Sequence, residues 1–228
     1  MPIGDLPKAF PRRLRHHGSP YLYIPLHQLR IRPPGYPPVP ERLEWSQLFA
    51  SGEPPLNLDV GCGEGSFLRE FARQHPQENI LGIEVRRVLV EQLSEMLHRE
   101  GLPNAAVLWY SIVNGLPFID DGSVARIFVL FPDPWPKKRH HKRRMLTPFV
   151  LQEFARVLRP DGLLYIATDF PALDEHHRQV LQDTGYFDYE YVTDDADWGL
   201  PLTDREESCR RRGIPYVRMR CWKRCPVD

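Results

Sequence analysis

Long apolar runs are missing from this chain. No stretch approaches the roughly 18 apolar residues that a bilayer-crossing helix needs, so no membrane span is expected. Net charge is missing too. The 30 Lys and Arg are matched by 30 Asp and Glu, and no global field draws in a polyanion. Cysteine is scarce, with four in 228 residues and none at Cys-x-x-Cys spacing. A disulfide framework is thereby excluded, and neither a zinc site nor any other metal is expected. The first residues lack the apolar core of an export signal, which with the free thiols makes the cytoplasm the expected setting. There is no internal repeat and no P-loop lysine.

What is present is unevenly distributed. Residues 1–32 carry six Lys/Arg against one Asp, and residues 174–197 carry eight acids against Arg178 alone. Such a dipolar molecule can turn a basic face to a polyanion and stay soluble. Residues 1–40 hold ten prolines and the cluster Arg12-Arg13-Leu14-Arg15-His16-His17. This composition excludes regular sheet and predicts an extended arm that either adds phosphate contacts or packs as scaffold. Residues 41–50 read as a short helix. Two parts follow: residues 1–50 as a Pro-rich basic extension and 51–228 as the main domain.

From Leu56 strands and helices alternate, which implies a parallel sheet with crossover helices. Strands are expected at 56–60, 80–84, 106–110, 124–131 and 163–168. Helices are expected at 66–74, 86–99, 148–158 and 173–183. Residues 185–192 and 216–222 read as an antiparallel pair at the sheet edge, with irregular chain over 194–213 between them.

The first strand of the alternating region runs into Asp59-Val60-Gly61-Cys62-Gly63-Glu64-Gly65. Gly61, Gly63 and Gly65 permit a sharp turn and a close approach of bare backbone to a ligand. Glu84 closes the second strand, where a carboxylate can accept both hydroxyls of a ribose. The spacing is Gly-x-Gly-x-Gly rather than the Gly-x-Gly-x-x-Gly that seats a pyrophosphate. It therefore favours a nucleoside without phosphate, with S-adenosylmethionine the obvious one and Asp59 facing its ammonium. Without a ligand the same residues make a tight strand-to-helix turn.

A second strand, ending at Phe131, opens into Pro132-Asp133-Pro134-Trp135-Pro136-Lys137-Lys138-Arg139-His140-His141-Lys142-Arg143-Arg144. The prolines stiffen the loop that carries Asp133 and Trp135. A carboxylate and an aromatic beside dense positive charge suit an aromatic, anionic substrate, which nucleic acid fits best. Trp135 either stacks on a base or plugs the loop from beneath. The basic run either holds phosphates or is a solvated loop.

With these motifs the chain resembles the tRNA (guanine-N7) methyltransferase family over roughly residues 56–223. The resemblance rests on Asp59–Gly65, on Gly82-Ile83-Glu84-Val85 and above all on Phe131–Lys137 with the basic residues after it. Ala167-Thr168-Asp169 and Thr203-Asp204-Arg205-Glu206 complete the set. It implies a Rossmann-like, seven-stranded α/β sheet, mostly parallel with an antiparallel C-terminal edge and helices on both faces. It also implies methyl transfer from S-adenosylmethionine to N7 of a variable-loop guanine in tRNA. By matching position, Asp59 and Glu84 would bind the cofactor and Asp133 would sit at the reacting centre. Lys137, Asp169, Thr203 and Glu206 would meet the tRNA, with Arg139, Lys142, Arg143 and Arg144 on its phosphates. Ser111 stands where the family usually places an acid that accepts from the adenine amino group. Thr203 and Glu206 are equally the pattern of a helix cap. Other readings are a methyltransferase of the same fold acting on another RNA, and a non-catalytic RNA-binding relative. Nothing in the sequence separates a monomer from a homodimer.

Overall fold

Strand β4 (Val124–Leu130) shows how the sheet divides the molecule into two cores. Its side chains alternate between faces. Ile127 and Val129 enter one cluster with Phe154 and Leu181, while Phe128 enters the other with Phe67, Phe71 and Leu93. The computed structural model describes residues 18–224, so the Arg12–His17 cluster and Cys225 lie outside the described residues.

The sheet has seven strands in the order β3-β2-β1-β4-β5-β7-β6. Strands β1 (Asn57–Val60), β2 (Ile80–Glu84) and β3 (Ala105–Trp109) lie to one side of β4. On the other side lie β5 (Leu158–Thr168), β6 (Phe187–Tyr191) and β7 (Val217–Lys223). Strands β1 to β5 pair in parallel, and β7 runs antiparallel to both β5 and β6. Helices α1 (Ser66–Gln74) and α2 (Arg87–Arg99) contribute to one core. Helices α3 (Pro148–Val157) and α4 (Pro171–Thr184) contribute to the other. Strand order reverses between β1 and β4. Open α/β sheets bind their ligands in the crevice beyond the carboxyl ends at such a switch point.

Two expectations need correction. Residues 41–50 form only a single tight turn, Trp45–Gln47, rather than a helix. A helix of this length is marginal unless packing propagates it. One turn already seats Phe49 in the core, with Trp45 stacked on it at 6.4 Å. The segment 194–213, expected to be irregular, holds α5 (Asp195–Trp198) and α6 (Asp204–Arg212). Helix α6 is polar and buries only Glu206 and Cys209, so it carries no apolar periodicity. It is held instead by caps. Thr203 Oγ1 accepts from the Glu206 amide at 3.0 Å, and Glu206 Oε2 accepts from the Thr203 amide at 3.1 Å.

Residues 18–40 lie along the carboxyl ends of the strands. Their contacts are specific. The Ser111 hydroxyl donates to the Leu22 carbonyl at 2.5 Å, and the Leu26 amide donates to Asn114 Oδ1 at 2.8 Å. Tyr36 donates to the Ile24 carbonyl at 2.8 Å and receives a hydrogen bond from Asn114 Nδ2 at 2.9 Å.

Candidate active site

Gly61, Gly63 and Gly65 all have positive φ (83°, 59° and 77°), so the turn after β1 is left-handed at every second residue. At Gly61 an added Cβ would come within 2.9 Å of Met145 Cε, the side chain that closes this end of the pocket. At Gly65 it would run into the Leu93 side chain on α2. The turn therefore stays tight, and its bare backbone borders the cavity beyond the strand ends.

That cavity brings five expected residues together. Gly61, Glu84, Ser111, Asp133 and Arg143 line it, along with Tyr110, Ile112 and Arg86. Glu84 is 4% exposed and accepts from the Gly63 amide at 3.1 Å. Arg86 grips the same carboxylate, with Nε on Oε1 at 2.9 Å and a second nitrogen on Oε2 at 3.0 Å. Asp59 lies just beneath, also 4% exposed. Its Oδ2 is buried with no hydrogen-bond partner among the described residues. Burial, then the nearby charge of Glu84, pushes its carboxyl up to about 8. An orphaned acid oxygen beneath the glycine turn, behind a cavity walled by Glu84 and Ile112, fits a cationic nucleoside. With Tyr23 in place the cavity holds about 120 Å³, less than the about 300–1,000 Å³ usual for ligand sites. A whole nucleoside cofactor therefore needs the lining, which includes Tyr23, to open further.

Asp133 stands between two strained residues. Phe131 has φ 53° and Trp135 φ 43°, a region that bulky side chains avoid unless packing holds them there. Phe131 packs against Tyr216 at 6.0 Å. Trp135 is buried, with the Tyr23 ring edge-on at 5.1 Å and the Arg143 guanidinium over its face at 5.0 Å. Of the two readings of Trp135, the geometry realises the plug. Asp133 Oδ2 accepts from the Tyr23 hydroxyl at 3.3 Å. Burial, reinforced by the Asp133 charge, drives the Tyr23 pKa upward, so the phenol stays protonated and donates.

The basic run is divided by its fold. Residues Lys138–Arg143 form a 3₁₀ turn that leaves Lys137, Lys138, Arg139 and Lys142 exposed. Arg144 is only 5% exposed, and its Nε donates to the Pro134 carbonyl at 3.3 Å. It braces the Asp133 loop from behind rather than standing on the surface with its neighbours.

The remaining expected contacts are committed within the protein. Asp169 ends β5 and pairs with Arg205 of α6. Thr203 is the helix cap described above. Glu206 is wholly buried and receives Arg218 Nε at 2.9 Å. Thr203 and Glu206 thus form the cap that their spacing allows, while Glu84 and Asp133 are the carboxylates that line the cavity. Sequence reasoning missed Tyr23 and Arg86. Arg86 had a signal, since it follows Glu84 by two residues. Tyr23 had none, because its partner is 110 residues away.

Comparison with known proteins agrees with this geometry. The family model described as "Putative methyltransferase" matches residues 53–219. A tRNA (guanine-N(7)-)-methyltransferase of Synechococcus sp. (strain JA-3-3Ab) is 33% identical over 216 residues, covering 93% of this chain and 86% of that one. The chain belongs to the tRNA (guanine-N(7)-)-methyltransferase family. A member from Geobacillus thermodenitrificans is 37% identical over 150 residues, which is 65% of this chain and 68% of that one. Among solved structures, the 16S rRNA methyltransferase KamB superposes with a TM-score of 0.57 at 20% identity, covering 80% of this chain and 93% of that one. A SAM-dependent methyltransferase from Aquifex aeolicus gives 0.52 at 20% identity, over 73% and 80% of the two chains. Both share the fold of this chain. The family match begins at residue 53, so it leaves out the arm that supplies Tyr23.

Proposed function

We propose that the protein methylates N7 of a guanine in the variable loop of tRNA, using S-adenosylmethionine. The observation that carries this reading is Asp133, held by strained neighbours beside the crevice at the strand ends in a chain of this family. Asp59 would hold the cofactor's ammonium, Glu84 and the Gly63 backbone its ribose, and Ile112 its adenine. When bound, the cofactor supplies an electrophilic methyl group on a sulfonium. Guanine N7 offers an exposed lone pair, so no base is needed and the protein acts by alignment. Asp133 accepts from the N1-H and amino group of guanine. It thereby orients N7 and offsets the positive charge that grows on the ring. Lys137, Arg139 and Lys142 hold phosphates and position the RNA without reading its sequence.

The direct test is methyl transfer from labelled cofactor to an unmodified tRNA transcript, followed by nucleoside analysis. Label in 7-methylguanosine from the variable loop supports the reading, and label in any other nucleoside overturns it.

Cofactor binding should depend on pH through Asp59. In the free protein its carboxyl titrates near pH 8 because of burial, so at neutral pH it is mostly protonated. An ammonium beside it favours the carboxylate, and binding releases a proton. Affinity should then rise with pH by up to about tenfold per unit toward pH 8, and fall again above it as the cofactor's own α-ammonium, with a pKa of about 7.7–8.0, loses its proton. Calorimetry in two buffers of different ionisation enthalpy reads the proton directly. Identical apparent enthalpies would mean that Asp59 does not change its charge.

The exposed cations should govern salt dependence. Neutralising Arg139 and Lys142 is expected to weaken tRNA binding and to flatten the log–log salt slope by up to about one unit per lost contact. Cofactor affinity should not move. An unaltered slope would make the run a solvated loop.

A further inference from the structure

A second cleft, of about 630 Å³, opens on the far side of Tyr23. One wall is the arm, through Ile24, His27 and Gln28, and the other is the start of α3 and the end of the basic run. Tyr23, Val113 and Arg143 line both this cleft and the cofactor cavity, so the two are adjacent. No acidic side chain among the described residues lines it.

Two side chains of its lining bear on what the cleft can hold. The first is Arg144. A buried charge is costly unless it is paired, and the other deeply buried arginine obeys that rule. Arg218, 4% exposed, pairs with both Glu206 and Asp195. Arg144 is 5% exposed and, among the described residues, has no carboxylate within ion-pair reach. Its side-chain partners are the Pro134 carbonyl and His141 Nε2, at 3.3 and 3.2 Å. The groups that feel its charge, His176 and His177 on α4, are themselves basic and are held neutral, first by burial. The second feature is Phe149. It is the second residue of α3, it lines the cleft, and it remains 46% exposed while its neighbour Val150 is buried.

A buried cation awaiting an anion and an exposed aromatic ring, in one cleft, match the two parts of a nucleotide. We infer that this cleft holds an unpaired nucleotide of the substrate RNA beside the guanosine that is methylated. Its base stacks on Phe149, and its phosphate neutralises Arg144 with help from Arg143. The inference rests on the methyltransferase reading above and adds a second recognised nucleotide to it. Single-stranded bases stack on aromatic side chains in this way without sequence preference. Flanking the reacting base with a gripped neighbour would splay that base toward the cofactor and set its register.

The test uses the full chain and an unmodified tRNA transcript. Phe149→Ala is expected to raise the KM for tRNA by about tenfold, within the range that stacking contributes, with a much smaller change in kcat. Phe149→Tyr, which keeps a stacking face, should restore the KM, and S-adenosylhomocysteine affinity should be the same in all three proteins. A photo-crosslinking residue placed at position 149 should attach to a nucleotide adjacent to the 7-methylguanosine. An unchanged KM in Phe149→Ala, or a crosslink elsewhere in the tRNA, overturns the inference and leaves the methyltransferase reading standing. A wild-type protein that methylates no tRNA removes that reading, and the inference falls with it.

Discussion

Asp133→Ala is expected to lower kcat by about 10²–10³, the usual cost of removing one group aimed at charge that develops in the transition state. Affinity for S-adenosylhomocysteine should change little, because the glycine turn, Asp59 and Glu84 lie on other strands. A loss shared by kcat and kcat/KM marks an interaction made mainly in the transition state. Asp133→Asn is a sharper probe. The amide keeps the shape, yet it brings no charge to offset the cationic ring and replaces an acceptor by a donor. Single-turnover methylation of tRNA, with calorimetric titration of the same proteins, separates these effects. Near-normal turnover in Asp133→Ala would remove the carboxylate from the chemistry.

The largest effect on stability is expected from Arg218→Ala. This substitution leaves the Glu206 carboxylate wholly buried with the Thr203 amide and hydroxyl as its remaining partners. Breaking a buried ion pair from one side costs about 3–5 kcal/mol. For a domain of this size that corresponds to a fall in Tm of roughly 6–20 °C. Glu206→Gln should be milder, because Arg218 keeps Asp195 at 2.7 Å and the cap keeps an acceptor. Urea unfolding of the three proteins checks the ranking. A loss below about 1 kcal/mol in Arg218→Ala would show that water already screens the pair.

The fold was legible wherever local pattern and burial agree. Strand β2 spans Ile80–Glu84 and helix α1 Ser66–Gln74, as read from the sequence. Both are short, strongly patterned and bounded by turn residues. Helix α6 was not legible, because charge pairs and a cap hold it and an apolar stripe does not. The candidate site divides in the same way. Gly61, Glu84 and Asp133 each stand at or just beyond the carboxyl end of a strand, and their meeting follows from the topology. The seating of Tyr23 on Asp133 depends on chain 110 residues away, and no local pattern encodes it. The partners of Arg144 and Glu206 are near in sequence, but their burial in otherwise charged segments is set by packing that composition does not show.

The hydrogen bond from Ser111 to the Leu22 carbonyl ties the identity of residue 111 to the path of the arm. Serine can donate there; a carboxylate can only accept. An acid at 111 would set its oxygen against the Leu22 carbonyl and push the arm away, carrying Tyr23 off Asp133. Residue 111 and the arm are therefore coupled: Ser111→Asp would have to reroute residues 18–26, and removing the arm would leave the Ser111 hydroxyl and Asn114 Oδ1 without these partners.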